Sequence, residues 1–154
     1  MPETICGFDD IPNGATGSQL LMQWGPTLLV NIGFDPDWDV NNPIGPPKHS
    51  IENVNALVDT GATESCIDDL LATQLNLPIF DVRPVSGTAG QHDVNMYLAQ
   101  IHIPSLNYTI YGSFAGVHLA AGGQVHHALI GRTFLGQFTM IYEGKTGNVR
   151  LILN

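Results

Sequence analysis

The sequence predicts a mostly β fold with one or two short helices. Three observations predict it. The 154 residues include 17 Gly and 10 Pro set between many short apolar runs, the pattern of strands separated by turns. The run 91–103 alternates, with Val94, Met96, Leu98, Gln100 and His102 on one face and Tyr97, Ala99, Ile101 and Ile103 on the other. Helical spacing shows most clearly in 65–75, where Ile67, Leu70, Leu71 and Leu75 fall on one side. The length suits one domain with a modest core.

In chain order, residues 1–25 read as a polar leader or edge segment, with a short strand at 20–24. Pro26 opens a strand from Thr27, and the domain proper is expected over 26–154. Residues 35–50 hold Pro36, Pro43, Pro46 and Pro47 and the acids Asp35, Asp37 and Asp39, so they read as a surface loop insertion with Trp38 as its packing anchor. A strand over 51–58 follows. The helix at 65–75 starts at Ser65, with Asp68 completing a capping-box-like arrangement, and stops at Asn76 and Pro78. Strands at 80–85 and 91–103 flank the small residues Ser86, Gly87, Thr88, Ala89 and Gly90. A strand at 108–114 comes next. The buried strand Ala128-Leu129-Ile130 leads into a helical turn at 132–136, and the chain closes with a hairpin over 138–153.

Composition excludes several functions. Charged residues make up 12 % and the net charge is −9, so neither nucleic acid nor an anionic membrane surface is expected as a partner, because phosphate binding needs clustered Lys and Arg. No run of about 18 apolar residues predicts a membrane span. No basic stretch precedes an apolar run at the start, so no signal peptide is read and a cytoplasmic location is expected. Cys6 and Cys66 make no disulfide framework, and Cys66 reads as a buried free thiol.

The chemistry centres on Ala56-Leu57-Val58-Asp59-Thr60-Gly61-Ala62. An ionised Asp at the end of a buried strand is costly unless it is paired, hydrogen-bonded or neutralised. Gly61 lets the backbone turn sharply, and Thr60 brings a hydroxyl that donates and accepts. Two readings stand open. Asp59 closes the strand in an Asx-type turn by bonding its own backbone, or it is a reacting carboxylate.

This motif, the later Leu129-Ile130-Gly131-Arg132-Thr133-Phe134-Leu135 and the glycine-rich Val85 to Gly90 between them resemble the retropepsin family. These are the single-domain aspartic proteases of retroviral type and their cellular relatives. The resemblance spans roughly Pro26 to Leu153. It implies a closed acid-protease barrel and an aspartic endopeptidase. Asp59, Thr60 and Gly61 would be catalytic, with the Thr60 hydroxyl locking two turns together and the Gly61 carbonyl accepting from a peptide backbone. Leu57, Ala62, Thr63 and Leu129 would line substrate pockets. Gly87, Thr88, Ala89 and Gly90 would form a flap tip, the bland reading of which is an ordinary hairpin loop. Gly131 and Arg132 would be structural.

The chain has one Asp-Thr-Gly, so the second carboxylate of such a protease must come from a second copy, and a homodimer is expected. The partners are then a peptide or protein substrate and a second chain. The alternative is a catalytically inactive dimeric module kept for binding or assembly. No cofactor is expected. No metal site is expected either: His126 and His127 are adjacent and face opposite ways on a strand, and His118 has no Cys or acid nearby at ligand spacing. Two departures stand out. Viral members carry an acid after D-T-G-A where this chain has Thr63, and an arginine before the first-strand proline where it has Gly25. Arg132 therefore needs another partner, with Glu64 and Asp69 as candidates.

Overall fold

The structure, a computed structural model, describes residues 1–87 and 90–154. It is mostly β, with 45 % strand and 14 % helix. The elements are β1 (Glu3–Ile5), α1 (Gly17–Trp24), β2 (Thr27–Gly33), β3 (Ile51–Val58), β4 (Cys66–Asp68), α2 (Asp69–Gln74), β5 (Ile79–Gly87), β6 (Gly90–Ile103), β7 (Tyr108–Val117), β8 (Ala128–Ile130), α3 (Arg132–Leu135), β9 (Phe138–Glu143) and β10 (Asn148–Leu153). A 3-10 turn at Pro104–Leu106 links β6 to β7.

Six strands close into a barrel in the order β2-β3-β8-β4-β7-β6, and β6 pairs back onto β2. Closure depends on the length of β6. Its early residues pair with β5, and its last ones, Gln100 to His102, pair with Gly33 to Asn31. Closing the ring removes the exposed sheet edges that an open sheet would leave. β5 and the start of β6 extend beyond the barrel as a hairpin arm, exposed from Phe80 to Arg83 and from Gln91 to Asp93. A separate sheet, β1-β10-β9, brings the two chain ends together.

The interior is filled by Val30, Ile32, Ala56, Ile67, Ala99, Phe114, Ala128 and Leu151, all fully buried. Phe114 and Phe134 pack at 5.1 Å between ring centroids.

Three expectations are corrected. The described residues form three α-helices where one or two were expected, the additional one being α1. Residues 20–24 are helix, within α1. Thr16 and Gln19 form a reciprocal capping box: Gln19 N–H donates to Thr16 Oγ1 at 3.1 Å, and Thr16 N–H donates to Gln19 Oε1 at 2.9 Å. The helix then buries Leu21 and leaves Met22 outside. The helix expected at 65–75 is shorter and starts later, because β4 occupies Cys66–Asp68. Ser65 and Asp68 do not cap it. Their side chains are engaged across the fold, Ser65 with Gly131 and Asp68 with the amides of Leu119 and Ala120, and these tertiary bonds override local spacing.

The N-terminal segment does meet a sheet edge, with β1 antiparallel to β10. Further on, Cys6 is buried and its carbonyl accepts from Thr27 N–H at 2.8 Å. The 35–50 insertion covers polar outer positions of β6 and β7. Asp35 N–H donates to Gln100 Oε1 at 2.7 Å, and Gln100 Nε2 donates back to Asp35 O at 3.0 Å. Trp38 stacks on Tyr111 at 6.3 Å. The Thr109 hydroxyl donates to Gly45 O, so it accepts from His102 Nδ1 at 2.9 Å, which fixes that ring nitrogen as the protonated one. Among the described residues, no helix is long and apolar enough to cross a membrane.

Two buried histidines make stability depend on pH. Burial holds the His102 ring below its ordinary value of 6.5, and burial followed by the charge of His127 does the same for His126. The unfolded chain therefore binds more protons than the fold once pH drops below about 6.5, and stability falls with pH through that window and on through the folded values. Urea midpoints are expected to drop between pH 7.5 and 5, and to drop less in His102→Asn. Equal midpoints at both pH values would contradict this account.

Candidate active site

β8 lies between the two strands that the Asp59 turn connects. It runs parallel to β3, with Ala56 opposite Ala128 and Val58 opposite Ile130, and antiparallel to β4, with Cys66 opposite Leu129. Residues 59–65 therefore arch over the end of β8. Backbone bonds fasten the arch down: Asp59 N–H to Ile130 O at 2.9 Å, Arg132 N–H to Ala62 O at 2.9 Å and Thr133 N–H to Thr63 O at 3.2 Å.

Two residues make this close fit possible. A Cβ on Gly131 would lie 2.6 Å from Glu64 O and 2.9 Å from Ala62 O, so a side chain is excluded by space. The Ser65 side chain is fully buried beneath the arch; its Oγ accepts from Gly131 N–H at 2.8 Å and bonds the Thr133 hydroxyl at 3.0 Å. Sequence reasoning missed Ser65 and Thr133, because nothing local signals a contact between segments so far apart. Ser65→Ala leaves the buried Gly131 N–H without a partner. The expected loss is about 1–3 kcal/mol of unfolding free energy, read by urea denaturation. An unchanged midpoint would remove Ser65 from the account.

Arg132 braces the arch from outside, with Nη1 donating to Thr60 O and Nη2 to Thr63 Oγ1, each at 2.7 Å. The expected partners are corrected here. Glu64 instead faces Arg83 of the hairpin arm at 3.9 Å, and Asp69 accepts from the Tyr97 hydroxyl at 2.6 Å. A neutral carbonyl and a hydroxyl of the arch thus take the guanidinium.

Asp59 sits half-buried at the barrel end, and Thr60 and Gly61 are exposed beside it. Among the described residues, the one hydrogen bond to its carboxylate comes from Gly61 N–H, to Oδ1 at 2.9 Å. This is the Asx bond that the sequence allows. It fixes one oxygen and leaves Oδ2 without a bond. Leu57 and Leu129 pair in register on the same outer face and are half-buried, and Ala62 and Thr63 follow on the arch.

The structure thus gathers Leu57, Asp59, Thr60, Gly61, Ala62, Thr63, Leu129, Gly131 and Arg132 into one region. Gly87 and Gly90 pair with each other at the tip of the hairpin arm. Thr88 and Ala89 lie outside the described residues. Arg83 holds Asp81 of its own arm at 2.9 Å and reaches Glu64 of the arch at 3.9 Å, an exposed contact that contributes little by itself.

Thiol chemistry is not favoured at this site. Burial first, then the charges of Asp59 and Glu64, push the Cys66 thiol up to about 11, and burial pushes Cys6 up to about 12. Neither is a thiolate at neutral pH. Among the described residues, no group of three or more His, Cys, Asp or Glu is placed to hold a metal ion. No protein-family model and no curated protein matches the chain.

Proposed function

We propose that the protein is a retropepsin-like aspartic endopeptidase whose catalytic pair is Asp59 from each of two identical chains. The observation that carries this reading is the presentation of Asp59. It stands on an exposed turn at the open end of a closed barrel, with one carboxylate oxygen fixed by Gly61 and apolar Leu57 and Leu129 beside it.

Two such carboxylates about 3 Å apart cannot both ionise, so they share one proton. The ionised one takes a proton from water, which attacks the scissile carbonyl carbon. The protonated one donates to the carbonyl oxygen. Collapse of the tetrahedral adduct breaks the C–N bond as the leaving amine takes up a proton. A two-fold axis beside the arch provides the pairing. The peptide lies extended, its side chains read by alternate pockets, and the hairpin arm closes over it.

Digestion of a mixed peptide library, with the sedimentation mass of the same sample, tests the proposal. Cleavage by a species of twice the chain mass is the expected result, and cleavage by a strict monomer would overturn the shared pair. The Asx bond favours a second reading, because a turn kept only for shape shows the same contact. In that case the protein is an inactive dimeric binding or assembly module, and the library stays intact.

A further inference from the structure

Beside the Asp59 arch, the outer face of β3 leads to a pocket that the hydrolytic chemistry does not use. Residues 55, 57 and 59 share that face, since Val54, Ala56 and Val58 point inward and are buried. Leu57 lies against Gly25, where a Cβ would stand 2.7 Å from Leu57 Cδ1, and Gly25 has a φ of +72°. A side chain at Gly25 would collide with Leu57.

The pocket has a volume of about 290 Å³ and is lined by Phe8, Trp24, Thr27, Asn55, Val125 and His126. Trp24 and Val125 are 39 % and 47 % exposed, so both are open to a ligand. His126 is 4 % exposed, with Nε2 bonded to Thr27 Oγ1 at 2.8 Å and no partner for Nδ1 among the described residues. Burial keeps its ring below the ordinary value, so that wall is neutral at neutral pH. Small-molecule sites span roughly 300–1,000 Å³, so this volume suits a single large side chain better than a whole cofactor. Along the strand the lining runs from Thr27, which pairs with Leu57, to Asn55, about 7–13 Å from Asp59 at strand rise, the reach of about two to four residues of an extended peptide.

We infer that this pocket is a substrate subsite that takes an aromatic or large aliphatic side chain, about two to four residues from the bond that is cut. The inference rests on the endopeptidase reading. Trp24 and Phe8 provide aromatic surface for the incoming side chain, and the exposed Asn55 amide has both a donor and an acceptor for peptide backbone. A chain of net charge −9 with a neutral wall here selects against an acidic side chain.

The test separates pocket from activity. N-acetyl-phenylalaninamide is titrated into ¹⁵N-labelled Asp59→Asn, which cannot turn over. The chain has two tryptophans, and Trp38 lies in a different pocket beyond the far end of β2, so the two indole N–H signals are independent reporters. The expected result is a saturable shift at Trp24 and Val125, none at Trp38, and none with N-acetyl-aspartic acid amide. Val125→Trp, a change at an exposed site that fills the mouth, abolishes it. No saturable shift at Trp24, or equal shifts at Trp38, overturns the inference.

In the cleavage library, Trp24→Ala then loses a preference for an aromatic residue at one remote position, with kcat/KM on such peptides down about tenfold or more. An unchanged preference also overturns it. A wild type that cuts nothing defeats the endopeptidase reading instead, while the titration still decides whether the pocket takes an aromatic side chain.

Discussion

Asp59→Asn is expected to lower peptide cleavage by at least about 10²–10⁴-fold, the worth of a positioned acid–base group, and to leave the fold standing. The substitution keeps shape and keeps an Oδ1 that accepts from Gly61 N–H, so the turn loses no hydrogen bond. The bond from Asp59 N–H to Ile130 O is main chain and does not change. What disappears is the ability to take and return a proton. The measurement is kcat/KM on a cleaved peptide, with a urea midpoint on the same sample. Full activity in the variant would remove Asp59 from the chemistry.

Gly131→Ala is expected to lower stability and activity together. The backbone there has a φ of −90°, which any residue adopts, so the penalty is one of space. The new Cβ meets Glu64 O, Glu64 C and Ala62 O, all main-chain atoms within 3.0 Å, and none can swing aside as a flexible side chain could. Overpacking of this kind costs about 1–3 kcal/mol. Gly136→Ala is the control, because its Cβ would meet Arg132 O at 3.8 Å and nothing nearer. Urea midpoints of the two variants should separate clearly. Activity should fall in Gly131→Ala as well, since the clash pushes the arch that carries Asp59, and displacement by about 1 Å can cost about 10²-fold. Equal midpoints for the two variants would contradict this packing account.

Much of the fold was legible because its signals are local. The hairpin of β9 and β10, the arm of β5 and β6 and the strands β3 and β8 each follow from apolar runs bounded by turn residues. The errors came where local and distant signals compete. Leu20, Leu21 and Met22 look strand-like as a run, but Thr16 and Gln19 three residues apart carry the helix-start signal. Ser65 looks like a cap until Gly131 comes to meet it. The partners of Arg132 were not read, because Thr60 O is a main-chain acceptor and the Thr63 hydroxyl is neutral, where a charged partner was sought. The pocket near Leu57 was hidden because its walls, Trp24 and His126, are far apart in sequence and come together only in the fold.

Mixing wild-type and Asp59→Asn chains tests the shared carboxylate pair most directly. The two are combined at fixed total concentration and allowed to exchange, and cleavage is followed as the wild-type fraction changes. If each site draws one Asp59 from either chain, activity follows the square of that fraction, and an equal mixture retains roughly a quarter. A straight line, with roughly half the activity at equal mixing, would mean that each chain works alone.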